Sequence, residues 1–414
     1  MSTASEIPNS APTDNSQLAR VKLKKNEERR LKSGHLWVYS NEIDTQVTPL
    51  NNFEPGQHVV VEDSKGKAIG VAYINPQSLI AARLMSRDGS CVISESLLTH
   101  RLKIALSLRE KCYEGGCYRW VYGDSDGLPG LVVDRFDDYV VVQLNTAGMD
   151  GLKEQVVAAI TKVISPAGIL FRNDSGARKQ EGLPLTVEVA AGEWPETLSL
   201  VENGVNFTVP ANDGQKTGWF YDHRENRQYL SSSWVKGKRV LDVFSYVGGW
   251  GIQAAVAGAE EVLCVDASEL ALNFVEKNAA LNDVVEKVGT MQGNAFDCLK
   301  QLVEEKEKFD VIVIDPPAFI KRKKDFKNGL TAYRKLNELA MRLLSRDGML
   351  VSASCSMHLP NDALLDVVRG AGRHVDRQVQ IIHQGGQGAD HPVHPSITET
   401  QYLKAIFARV LPSF

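Results

Sequence analysis

Arg239-Val-Leu-Asp-Val-Phe-Ser-Tyr-Val-Gly-Gly-Trp-Gly251 is the stretch around which the chain is organised. An apolar, β-branched run over 240–244 leads into Gly248, Gly249 and Gly251, and a helix-forming run over 252–256 follows at once. Strand, glycine turn and helix together bring backbone N–H groups and a helix N-terminus up to a nucleotide-type ligand. The same turn can simply pack a strand against a helix, so its meaning depends on what comes after it. From Arg239 onward, runs of two kinds alternate: strand-like at 261–266, 309–314 and 349–354, helix-like at 270–281 and 330–344. A helix at 361–369 and strands at 379–383 and 403–410 complete the pattern. This predicts a doubly wound α/β sheet whose ligands sit at the carboxyl ends of the strands.

At 414 residues the chain exceeds one typical core, and two or three domains are expected. No apolar run reaches membrane-spanning length, and the N-terminus lacks a charged start followed by an apolar core. Six cysteines (91, 112, 117, 264, 298 and 355) show neither disulfide nor metal-ligand spacing. A reducing cytoplasm is the expected compartment. The formal net charge of −4 argues against a uniformly basic nucleic-acid coat and leaves room for local patches.

Residues 1–16 are rich in Ser, Thr, Pro and Asn and are expected to be a disordered tail. Short strand-like runs with turn signals over 17–96 suggest a small β-barrel. Its first element, Arg20 to Tyr39, is basic and carries Trp37 and Tyr39, which reads either as RNA contact or as a solvated face. Residues 97–197 read as a compact α+β domain; Asp124, Asp126, Arg172, Asp174 and Arg178 in it are explained by turn chemistry and are not taken as a site. The last domain, 198–414, opens with a hairpin at Asn203-Gly204 and then Asn212-Asp-Gly-Gln-Lys-Thr-Gly-Trp-Phe-Tyr-Asp-His-Arg-Glu-Asn-Arg227, more mixed than a linker needs.

Several chemistry-bearing residues fall at its strand ends. Asp242 precedes the glycine loop, and Asp266 closes the second strand, where an acid can bind both ribose hydroxyls or cap the next helix. Gly293-Asn294-Ala295 follows the third strand and suits an adenine edge. Asp315-Pro-Pro317 closes the fourth, with stiffened backbone and an acid facing the pocket. Lys321-Arg-Lys-Lys324 (Lys321, Arg322, Lys323 and Lys324) follows as a basic loop suited to phosphate contacts. Cys355 closes the fifth strand; the polar Ser356 and His358, and a helix N-terminus expected to follow, would lower its thiol pKa.

The set Gly214-Gln-Lys-Thr-Gly218, Asp222-His-Arg-Glu-Asn-Arg227, Asp242-Val-Phe-Ser-Tyr-Val-Gly-Gly249, Asp315-Pro-Pro317 and Ser354-Cys-Ser356 resembles the bacterial S-adenosylmethionine-dependent methyltransferases that make 5-methylcytosine in 23S rRNA. Residues 20–96 are similar to the PUA domain of those enzymes, and Gly123-Asp-Ser-Asp-Gly-Leu-Pro-Gly130 to their middle domain. The resemblance implies a class I methyltransferase Rossmann-like domain, S-adenosyl-L-methionine as cofactor and 23S ribosomal RNA as substrate. It further implies Cys355 as nucleophile at cytosine carbon 6 and Asp315 as partner of ring nitrogen 3. Asp242, Tyr246, Gly248, Asp266, Asn294 and Asp315 are the expected cofactor set. Lys216, Thr217 and Arg224 lie near the pocket by resemblance, with Lys216 and Arg224 counted toward RNA. The segment after Pro-Pro is Ala318-Phe-Ile and has no cysteine, so the base that removes the carbon-5 proton is open, His358 being one candidate. No membrane partner is expected, and a homodimer is one option that the motifs do not decide. RNA N-methylation without use of Cys355, a dinucleotide dehydrogenase and a non-catalytic RNA-binding protein are the competing readings. If the 321–324 loop contacts phosphates, replacing its four cations by Gln should flatten the fall of RNA affinity with salt, by roughly one unit of log–log slope for each phosphate no longer neutralised. Filter binding across a salt series checks this, and an unchanged slope would remove the loop from the interface.

Overall fold

The computed structural model describes residues 18–212, 214 and 217–413, so the tail expected at 1–16 lies outside the described residues. They form two compact units, one of 18–194 with 392–400, the other of 195–391 with 401–413.

In the first unit, β1 (Ala19–Lys22), β2 (Trp37–Tyr39), β3 (Gln57–Glu62), β4 (Ala68–Ile74) and β5 (Ile80–Ser86) pair in the order β1-β3-β4-β5-β2. A second sheet, β6 (Cys117–Tyr122), β7 (Leu131–Phe136), β8 (Tyr139–Leu144), β9 (Gly168–Asn173) and β10 (Thr186–Gly192), runs in the order β10-β9-β8-β7-β6. The first sheet has a core of its own, with Val21, Val38, Val59, Ala72 and Leu84, and a second cluster joins its other face to the following sheet. Val60, Tyr73 and Met85 belong to the same buried cluster as Leu102, Trp120 and Phe171, and the Tyr73 hydroxyl donates to Pro129 O at 2.8 Å. Asp126 accepts the Arg109 fork at 2.6 and 2.8 Å, a structural role consistent with leaving it out of any site. The basic first element is engaged internally. Arg30 donates to both Glu42 carboxylate oxygens and lies over Tyr39, Arg20 pairs with Glu62, and Trp37 Nε1 donates to Asp124. Its two aromatic rings are therefore not free-standing stacking platforms.

The second unit opens with the hairpin β11 (Thr197–Glu202) and β12 (Val205–Pro210). Asn203 and Gly204 both have positive φ, 54° and 78°, as a two-residue type I′ turn requires. Alternation along β11 points Leu198, Leu200 and Glu202 inward. The fully buried Glu202 carboxylate accepts from Arg227 Nε (2.6 Å) and Nη2 (3.0 Å), Trp219 Nε1 (2.8 Å) and Gln253 Nε2 (2.9 Å).

The main sheet comprises β13 (Arg239–Val243), β14 (Glu261–Asp266), β15 (Val288–Gln292), β16 (Phe309–Ile314), β17 (Leu344–Ser354), β18 (Arg377–Gly385) and β19 (Lys404–Pro412), in the order β15-β14-β13-β16-β17-β19-β18. Of these strands only β19 runs opposite to the other six, pairing antiparallel with both β17 and β18. Helices cover both faces, which is why β13 and β16 are buried along nearly their whole length rather than at alternate residues. Leu241, Ile312 and Leu350 of the strands pack with Leu336 and Met341 of helix Phe326–Leu343 and Leu364 and Val368 of helix Asn361–His374. The closing strands and last helix extend a few residues beyond the expected 361–369, 379–383 and 403–410. Strand order reverses between β13 and β16, and that opens a crevice at their carboxyl ends.

Removing Glu202 would strand the buried Arg227 guanidinium. Glu202→Ala should cost about 3–5 kcal/mol in urea unfolding of the full chain, with Glu202→Gln milder; an unchanged midpoint would show that the network is incidental.

Candidate active site

The end of β13 is where the backbone is most constrained. Phe244 (φ 66°) and Tyr246 (φ 50°) adopt left-handed conformations that aromatic residues rarely occupy. Neighbouring groups hold them there: Phe244 N and Ser245 N donate to Val265 O (2.9 and 3.0 Å), and Tyr246 N donates to Asp266 Oδ2 (2.9 Å). The Tyr246 hydroxyl donates to Gly218 O at 3.1 Å. Gly248, φ 87°, begins helix Gly249–Val256. At Gly251 a Cβ would sit 2.6 Å from Cys264 Sγ, so only glycine lets this turn approach β14.

Asp242 lies beneath the loop, fully buried. Its Oδ2 accepts Gly251 N–H at 2.8 Å, whereas Oδ1 has no hydrogen-bond partner. Burial, against the Gly251 hydrogen bond and reinforced by the Asp315 and Asp266 charges, pushes its pKa up to about 7. Asp242 does not line the cavity, so the geometry favours loop orientation over direct ligand contact. Asp266 does line it, with Oδ1 accepting Ser268 N–H at 2.9 Å and Oδ2 that of Tyr246. Ser268 caps helix Glu269–Leu281 by accepting Ala271 N–H, so the capping alternative for Asp266 passes to Ser268. Asn294 lines the cavity beside Gly293 and caps helix Ala295–Glu304 through Phe296 N–H (3.0 Å).

Asp315, just past β16, has 21% of its side chain exposed. Oδ1 is 3.2 Å from His223 Nε2, and Oδ2 accepts from Trp250 Nε1 at 3.2 Å. Burial alone would raise its pKa, but the His223 charge and the two hydrogen-bond partners more than offset this and hold the carboxyl below its ordinary value. Cys355, past β17, lines the same cavity, its Sγ 4.0 Å from Pro316 O. The helix that follows begins at Asn361, as its sequence range has it, which is too far along the chain for its N-terminus to abut the thiol. The neighbouring cation is Lys404, which donates to Ser356 O (2.7 Å) and Leu359 O (2.8 Å) and whose pKa burial lowers to about 8.

The basic loop divides. Lys321 lines the cavity with Cys355, Arg322 is exposed and pairs with Asp325, and Lys323 and Lys324 join Lys327 and His358 around another recess of about 510 Å³. His358 is therefore not positioned as the base beside Cys355. Arg224 does not face solvent: it is 6% exposed, with Nε 3.6 Å from Glu202, so the phosphate role expected for it lacks the geometry. Lys216 lies outside the described residues, and Thr217 is buried. Sequence reasoning reaches Asp222 and His223 only as part of a motif and misses Trp250 and Tyr402 as site residues. Tyr402 donates to Asp222 Oδ2 at 2.5 Å, and all four line the cavity.

The cavity, about 620 Å³, thus receives the ends of β13 to β17, with Phe244, Val265 and Pro316 as apolar walls and Asp266 and Asn294 as polar anchors. Its size and mixed lining suit a nucleoside-bearing ligand with room beside it. Residues 21–87 match a PUA-like domain, and residues 171–409 match the S-adenosylmethionine-dependent methyltransferase family. The chain belongs to that methyltransferase family. Full-length relatives include ribosomal RNA large subunit methyltransferase I of Erwinia tasmaniensis, 35% identical, and that of Cronobacter sakazakii, 34% identical; each alignment covers 95% of this chain and 99% of the relative. A Streptococcus mutans protein, provisionally described as a SAM-dependent methyltransferase, superposes with a TM-score of 0.80 at 21% identity, covering 95% of this chain and 100% of the other, and shows the same fold. S-adenosylmethionine is the cofactor of this methyltransferase. The cavity fits it: a carboxylate at the end of the second strand of the glycine-loop motif is where a ribose is expected.

The Asp242 proton has a testable consequence. An unfolded chain releases it near the ordinary value of 3.8, the folded protein near 7, so its stabilising contribution is complete below pH 4 and lost as pH rises through 7. Thermal unfolding without ligand should show wild type losing on the order of 4 kcal/mol relative to Asp242→Asn across that window. Parallel profiles would mean that Asp242 is ionised throughout.

Proposed function

We propose that the protein methylates carbon 5 of a cytosine in large-subunit (23S) ribosomal RNA, through a covalent adduct with Cys355. The observation that supports this best is the placement of Cys355 and Asp315 at adjacent strand ends of the cavity that the glycine loop also enters. The RNA class comes from the names of the full-length relatives, and a PUA-like domain accords with it. Such a substrate places the enzyme in the cytoplasm.

S-adenosylmethionine supplies an electrophilic sulfonium methyl. In this reading Asp266 holds the ribose hydroxyls, Asn294 the adenine edge, and Tyr246 borders the methionine portion, with Gly248, which does not line the cavity, and Asp242 shaping the loop. Carbon 5 of cytosine is a weak nucleophile. Addition of the Cys355 thiolate at carbon 6 shifts electron density to carbon 5, which can then take the methyl. Asp315 borders ring nitrogen 3 in this reading, with His223 Nε2 behind it, 3.2 Å from Oδ1. The base must leave any stack to reach the thiol, and Lys321 at the cavity wall is placed to take an adjoining phosphate.

Methyl transfer from labelled S-adenosylmethionine to deproteinised 23S rRNA tests the proposal. Wild type should yield labelled 5-methylcytosine, and Cys355→Ala should lose on the order of 10³-fold or more of the rate, as when other covalent nucleophiles are removed. Equal activity in the variant would sink the thiolate mechanism and point to nitrogen methylation.

A further inference from the structure

Three carboxyls, Asp222, Asp266 and Asp315, line the cavity together with Cys355, and each, when ionised, opposes a negative charge on its sulfur. The helix after Cys355 starts too far along the chain to offset them. We propose that Lys404 is a positioning residue for the reaction: its ammonium, lodged in the turn that follows Cys355, stabilises the Cys355 thiolate through its charge, an inference that rests on the reading of Cys355 as nucleophile.

Lys404 opens β19 and pairs across the sheet with Ser354, the last residue of β17 and the one before Cys355. Its Nζ reaches past the strand end into the turn, donating to Ser356 O at 2.7 Å and to Leu359 O at 2.8 Å. The cation therefore sits against the backbone that carries the thiol. Its side chain is half-buried, where a charge is screened less than at the surface. Burial lowers the Lys404 pKa, and a charge on Cys355 works against that effect; the coupling is mutual, so the ammonium favours the thiolate in return. With a pKa of about 8, Lys404 still keeps its proton at neutral pH.

As a structural tie alone, Lys404 would duplicate bonds that the turn already has. The Tyr333 hydroxyl lies 2.7 Å from Ser354 Oγ and 3.0 Å from Ser356 Oγ, and Ser356 N donates to Ser354 Oγ at 3.1 Å. Ile320 N donates to Ser356 Oγ at 3.2 Å, which ties the turn to the segment after Asp315-Pro-Pro317. The other groups near the thiol are less suited to the task. Tyr333 is neutral, its pKa raised by burial. His223 faces Asp315, the Tyr402 hydroxyl faces Asp222, and Arg227 is held by Glu202. Lys321 shares the cavity lining but is exposed, so solvent and salt weaken its field. Lys404 neither gives nor takes a proton in this role: the thiol proton passes to solvent, and the sulfur keeps the electron pair that attacks carbon 6.

Alkylation of Cys355 by iodoacetamide across a pH series, read peptide by peptide in the full-length protein without RNA or cofactor, tests the charge directly. The exposed Cys112 in the same samples is the internal reference, and protection of the buried Cys264 reports that each variant is folded. Lys404→Gln keeps a donor for the turn and removes the charge. It should raise the pH midpoint for Cys355 by about one pH unit or more, and so slow alkylation at neutral pH by roughly 10-fold. Lys404→Met, a second neutral variant, should do the same, whereas Lys404→Arg, which keeps the charge, should stay close to wild type. An unmoved midpoint in the neutral variants would overturn the proposal. So would a midpoint raised as far in Lys404→Arg as in Lys404→Gln, because turn geometry rather than charge would then set it. The titration needs neither RNA nor methyl transfer, so its failure is distinct from failure of the covalent reading, which the methyl-transfer rate of Cys355→Ala decides.

Discussion

One buried carboxylate, Glu202, conditions most of what surrounds the cavity. It lies on the inward face of a hairpin strand between Leu200 and the turn, where a charge is tolerated only if it is fully compensated. Compensation comes from three separate segments: Trp219, Arg227 of helix Arg224–Ser233, and Gln253 of the glycine-loop helix. Arg227 also stacks over Trp219, and these two side chains close the space in which a Cβ at Gly249 would sit. The hairpin, the polar-aromatic segment and the glycine loop therefore share one electrostatic anchor. A hydrophobic residue at 202 would satisfy none of the three.

Around that anchor, three acids at neighbouring strand ends are treated in three different ways. Asp242 is desolvated and given one backbone N–H; Asp266 is given two; Asp315 is given an imidazole and an indole N–H. The resulting affinities for protons diverge, with Asp242 raised and Asp315 lowered. Like charges so close together cannot all be stabilised by the same means, and the fold resolves the conflict by partner choice.

Much of this architecture could be read from local sequence. The β13 run, its glycines and Asp315-Pro-Pro317 each carry a backbone requirement within a few residues, and the structure places them at the crevice. What escaped was long-range pairing. His223 meets Asp315, and Asp222 meets Tyr402, across most of the unit, and no periodicity announces such contacts. Arg224 counts toward RNA by resemblance alone; Glu202 draws it inward. Tyr73 reads as a barrel residue, yet its ring packs in the cluster shared with the next sheet, while Val21, Val59 and Ala72 form the barrel's own core. Nor could sequence reveal that 392–400 belongs with the first unit.

The left-handed backbone at Phe244 and Tyr246 bears on how this protein can change. Glycine at either position would relieve a conformational cost of about 1–3 kcal/mol, and a search for thermostability would favour it. The ring of Phe244, packed edge-on to Phe319, and the Tyr246 hydroxyl would then be lost from the cavity wall. Selection for a sturdier fold and selection for a well-shaped site thus pull these two positions in opposite directions. A more heat-resistant descendant is better sought elsewhere in the sheet, with this turn left tense.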